Sequence, residues 1–81
     1  MNGILNALNL NLYSQIEPDA KKILRQSTYR IIYSHWKIAQ NEELWNGSLT
    51  ELFHLLIKEL ERREEYEACQ CILETMYEYS A

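Results

Sequence analysis

Leu60-Glu61-Arg62-Arg63-Glu64-Glu65-Tyr66 is the stretch that decides how this chain folds. It holds no glycine or proline, and glutamate and arginine are good helix formers, so composition alone would let one helix run straight through. Periodicity points the other way. Upstream, Leu49, Leu52, Phe53, Leu56, Ile57 and Leu60 recur at steps of three and four and form one apolar stripe. At about 100° per residue, an unbroken helix would carry Tyr66, Cys69, Leu73, Met76 and Tyr77 well over 90° away from the centre of that stripe. One straight helix would then present two apolar faces, more than a monomer of 81 residues can bury. The spacing predicts a turn at residues 62–65, with a third helix before it and a fourth after it. The competing reading is one long helix whose far face packs on another chain.

The signals on either side agree with a turn. Ser48-Leu49-Thr50-Glu51 is a capping box that starts the third helix, the serine accepting from the backbone of Glu51. Asn46-Gly47 just before it is a candidate left-handed cap for the preceding helix. That second helix begins at Pro18, where proline suits the first turn and Asp19 meets the positive end of the helix dipole. Its stripe is read as Leu24, Thr28, Ile31, His35 and Ile38, ending near residue 40. Ile4, Leu5, Leu8, Leu12 and Ile16 fit a first helix, although Leu8, Leu10 and Leu12 also alternate with asparagines in a strand-like way. The expected fold is all-α, a small antiparallel bundle of three to four helices in a single domain over residues 1–81. Its expected core is Leu5, Leu8, Leu12, Leu24, Ile31, Ile38, Leu49, Leu52, Phe53, Leu56, Leu60, Cys69, Leu73 and Met76.

Composition excludes several classes. With 47% apolar and 25% charged residues the chain is too apolar for disorder, and no run of 18 apolar residues is present to span a membrane. No secretory signal pattern is evident, and Cys69 and Cys71, one residue apart, make no disulfide framework. A cytoplasmic location is the expectation. Net charge is −4 but unevenly placed: five basic and two acidic residues in 1–41, three basic and ten acidic in 42–81.

Chemistry finds little to hold on to. His35, His54, Cys69 and Cys71 lack zinc-ligand spacing, and two sulfurs separated by about 200° on a helix cannot chelate, so no metal site is expected. Cys69 is read as core and Cys71 as lying on the polar side. Gly3 and Gly47 are the only glycines, too few for a phosphate-holding loop, and no Gly-x-Ser-x-Gly occurs. The glutamates are placed on exposed helix surface, without a pocket to shift their pKa values. No catalytic residue, cofactor or enzymatic activity is expected. His35 is read as a half-buried neutral histidine on the second helix.

What remains points to binding. Glu59, Glu61, Glu64, Glu65 and Glu67, together with Tyr79, make an acidic, aromatic surface suited to a partner protein with a basic face. The sequence is therefore read as a small acidic non-enzymatic protein-binding module. Such a module could act as an inhibitor that occludes a nucleic-acid-binding groove, by analogy with several phage or mobile-element inhibitors. Two alternatives stand beside it. One is a structural or homodimeric subunit, its seam formed by the uncharged first 16 residues and the offset stripe of the fourth helix. The other is a weak nucleic-acid binder through Lys22, Arg30, Tyr33 and Lys37 on the second helix, opposed by the acidic half of the chain. Glu65-Tyr66-Glu67-Ala68-Cys69-Gln70-Cys71-Ile72 resembles the second helix of the UVR-type helical hairpin, with its acidic–aromatic–acidic start followed by small and aliphatic residues. Leu73 stands where that pattern expects arginine, and no function is carried over.

Overall fold

Pro18 at the first turn and Asp19 behind it start the longest helix, as their chemistry dictates. In the computed structural model, which describes Leu10 and residues 12–79, this helix is α1 (Pro18–Asn41). It is followed by α2 (Leu49–Arg62) and α3 (Tyr66–Tyr79). Ahead of them lies a single 3-10 turn, Tyr13–Gln15. These described elements are all helical and amount to three helices. The expected first helix falls mostly outside the described residues, and where it is described it is only that turn.

The break between Leu60 and Tyr66 is present and has a specific cause. Glu65 donates its backbone N–H to Leu60 at 2.9 Å and Glu64 donates to Glu61 at 3.0 Å, the paired closure of a Schellman motif. It requires Glu64 in the left-handed region, at φ 60°. The end of α1 repeats the device: Leu44 donates to Ala39, Glu43 donates to Gln40, and Glu43 has φ 56°. Gly47 is therefore not a left-handed cap. It serves by being small, because a Cβ there would come within 2.1 Å of the Trp45 indole. The indole N–H of Trp36 and the amide of Gln40 both donate to the Gly47 carbonyl, at 2.9 Å each, and tie the loop back to α1. Glycine tolerates φ > 0 without the penalty a Cβ brings. Glu64→Gly is accordingly expected to stabilise the fold by about 0.5–1 kcal/mol, raising the thermal midpoint by a few degrees. A lower midpoint would contradict the motif.

At the start of α2, the Ser48 hydroxyl accepts from the backbone N–H of Glu51 at 3.1 Å, as the capping box predicts. The α2 stripe is buried as expected: Leu52, Phe53, Leu56 and Leu60 point inward. Against it pack Ala68, Cys71, Ile72, Thr75 and Met76 of α3, and Thr28 and Ile32 of α1, with Leu10 and Tyr13 closing the core.

Two expected stripes are rotated. On α1 the inward side is Arg25, Thr28, Tyr29, Ile32 and Trp36, so His35 and Ile38 are exposed and Leu24 and Ile31 half-buried. On α3 Cys71, expected on the polar side, is fully buried, and Cys69, expected in the core, is half-buried and packed against it. Leu73 and Leu49 are also half-buried, and Leu12 is 62% exposed, its place in the core taken by Leu10 and Tyr13. Leu5 and Leu8 lie outside the described residues. Among those described, no helix is long and apolar enough to cross a membrane.

Candidate functional site

A helix whose inner side is settled leaves its outer side to be explained. On α3 the core takes Ala68, Ile72, Thr75 and Met76. The side turned away carries Tyr66, Cys69, Leu73 and Tyr77, spaced three, four and four residues apart and so gathered on one strip. Tyr66 is 64% and Tyr77 68% exposed, with the half-buried Cys69 and Leu73 between them. Eleven residues of helix separate the two rings by about 16 Å. The sequence phase singles out these four residues and Met76. The turn stands where it is expected and Met76 is buried, Cys69 and Leu73 pack against the edge of the core, and Tyr66 and Tyr77 face outward.

The acidic residues divide around this ridge. Glu61 and Glu64 are exposed beside its Tyr66 end, and Glu65 is half-buried at the turn. Glu59 is not part of a free acidic surface. It accepts from Arg62 at 2.5 and 3.0 Å and from Arg63 at 3.0 Å, and Arg62 above all holds its carboxyl down at about pKa 2. Sequence spacing already carried that signal, since arginines three and four residues after a glutamate share its face. Glu67 is half-buried and accepts a hydrogen bond from the Ser14 hydroxyl.

Tyr79 belongs elsewhere. Its ring stacks on Tyr29 of α1 at 4.7 Å, and Tyr29 stacks on Tyr33 at 5.9 Å and on Phe53 at 6.4 Å. This ladder joins all three helices. It also flanks the basic strip: Lys22, Arg30 and Lys37 are exposed along α1, and Lys37 Nζ sits 5.8 Å from the centre of the Trp36 ring. The rings stack mainly on each other, which leaves fewer open faces for nucleotide bases.

A further cluster was missed at the sequence level because its members lie far apart in the chain. The Tyr13 hydroxyl donates to Glu74 at 2.6 Å and accepts from Arg25 at 3.0 Å, and Arg25 Nε donates to Glu78 at 2.6 Å. Gln70 donates to the other Glu74 oxygen at 2.6 Å. Burial, reinforced by the bond to Glu74, pushes the Tyr13 phenol up to about 12. Gln70 and then Tyr13 hold the Glu74 carboxyl below its ordinary value. The cluster borders a shallow groove of about 390 Å³ lined by Arg25, Glu74, Tyr77 and Glu78. It fixes the segment before α1 to α1 and α3, and its charges satisfy one another.

Burial raises both thiols, Cys69 and Cys71, above the usual range, so neither is a thiolate poised to react. Among the described residues no three His, Cys, Asp or Glu side chains converge as a metal site would require. Comparison with protein-family models, with curated proteins and with solved structures yields no match.

Proposed function

We propose that this chain is a non-enzymatic protein-binding module that lays the outward strip of α3 and the acidic turn beside it on a basic surface of a partner protein. The observation that carries this reading is the pair of tyrosines, Tyr66 and Tyr77, left about two-thirds exposed on one strip with Leu73 between them. A tyrosine contributes a large, amphipathic contact area while giving up only two side-chain torsions, which is why it recurs among residues that dominate binding. The charge fits the same partner. Residues 59–67 hold five carboxylates and two guanidinium groups, and both guanidinium groups meet Glu59. A nucleic-acid-binding groove is the kind of basic surface such a module would occlude, and the short connections favour an antiparallel order of helices behind it.

The test begins with partners captured from the native host by the whole chain, followed by affinity measurement on the isolated pair. Tyr66→Ala with Tyr77→Ala is expected to weaken binding by about 30-fold or more, because both rings would lie at the centre of the contact. Glu64→Lys with Glu65→Lys is expected to weaken it further at low salt, and added salt should weaken the wild-type complex. An unchanged affinity for the tyrosine double variant, its helicity intact, would sink the proposal.

A further inference from the structure

α1 is the longest helix and buries the least: of its 24 residues only Thr28 and Ile32 are buried. On the side turned from the core, Ile23, Ser27, Ile31, Ser34 and Ile38 fall within about 80° of arc. Ile23 is 64% and Ile38 53% exposed, the central Ile31 is half-buried, and the strip contains no ionisable side chain. We infer that this strip is the seam of a symmetric dimer, in which a second copy of the chain lies antiparallel across it.

Three observations favour a second copy over a foreign partner. First, the strip reads alike in both directions. Ile31 stands beside the centre and meets its own copy, and beyond it each direction meets a serine, at Ser27 and Ser34, and then an isoleucine, at Ile23 and Ile38. A two-fold interface requires a surface complementary to itself, and this spacing provides it. Ile23 then faces the partner subunit's Ile38, and Ser27 faces the partner subunit's Ser34. Second, the small serines let the helix axes come close, and the antiparallel order opposes the two helix dipoles favourably. Third, α1 extends for about 36 Å in a molecule whose longest dimension is 38 Å, so the seam runs its whole length. Arg30 stands at the edge of the strip near the two-fold axis and meets its own copy. Their repulsion is screened as salt rises, so the dimer tightens with salt. That is opposite to the behaviour expected of the acidic surface on α3, which makes the failure of either proposal recognisable by itself.

Sedimentation velocity over roughly a hundredfold dilution tests the inference. The wild-type chain is expected to pass from dimer to monomer, at a concentration that falls when salt is added. Ile38→Glu appears twice in the seam and should raise that concentration at least about tenfold without loss of helicity. Under mild oxidation, Ser27→Cys mixed with Ser34→Cys should form a disulfide between those positions, identified by peptide mapping, and neither variant alone should do so. A wild type that is monomeric throughout overturns the inference, as does a dimer indifferent to Ile38→Glu. A monomeric chain whose melting temperature falls with Ile38→Glu would mean that this face serves the fold itself, which also overturns it.

Discussion

Phe53→Ala is expected to remove a large share of the stability of this fold. Phe53 is completely buried in α2, and truncating such a ring costs about 3–5 kcal/mol through lost burial and the cavity left behind. A chain of 81 residues has only about 4–12 kcal/mol in total. The position is also a junction. Tyr29 of α1 rests on the Phe53 ring, and Tyr29 in turn holds Tyr33 and Tyr79, so one truncation unseats the ladder that joins the three helices. Denaturant unfolding followed by far-ultraviolet circular dichroism should show the midpoint fall in proportion to that loss. Phe53→Leu, which keeps most of the volume, should cost less than about 1.5 kcal/mol. A Phe53→Ala chain within about 1 kcal/mol of wild type would mean that the core is centred elsewhere.

Phe53 was legible in the sequence because α2 sorts its residues well: apart from the exposed Leu55, leucines and phenylalanine lie on one side and charged residues on the other. The capping box at Ser48 and the turn before Tyr66 were legible for related reasons, one from residue chemistry and the other from phase. α1 resisted the same treatment. Its isoleucines are split between inside, at Ile32, and outside, at Ile23 and Ile38, while its core side is filled by Thr28, Tyr29 and Trp36. Those residues carry a weaker hydrophobic signal than the isoleucines they displace. α3 misled in a related way, since Cys71 and Thr75 are buried while Tyr66 and Tyr77 are not. The Thr75 hydroxyl is satisfied locally by the Cys71 carbonyl at 2.7 Å, which makes its burial affordable. The turns lacked their usual glycine because Glu43 and Glu64 adopt the left-handed conformation themselves. At the candidate surface, Glu61 and Glu64 are exposed, while Glu65 and Glu67 are half-buried. Glu59 is drawn off by Arg62 and Arg63, and Tyr79 joins the aromatic ladder instead.

Tyr13→Phe is expected to cost about 1–3 kcal/mol at neutral pH, with a pH dependence that identifies the cause. The substitution keeps the buried ring but deletes the hydroxyl that donates to Glu74 and accepts from Arg25, leaving both charged groups short of a partner. In the folded chain the phenol is pushed up to about 12, above its ordinary value of 10.0. A raised phenol stabilises the fold fully below pH 10.0 and loses that contribution as pH climbs towards about 12. The Glu74 carboxyl is shifted in the opposite direction, below its ordinary 4.5. Its contribution is present above that value and is lost as acid protonates it. The wild-type chain therefore holds this latch between the two limits and releases it at either end. The difference in unfolding free energy between wild type and Tyr13→Phe should be greatest from about pH 5 to pH 10 and shrink beyond both, when measured by denaturant titration across the range. Hydrogen exchange should localise the loss first to residues 13–16, whose backbone bonds to Leu10, Leu12 and Tyr13 depend on the segment staying docked. A gap between the two proteins that stays constant from acid to alkali would show that the ring, and not its hydroxyl, fastens this segment to α1 and α3.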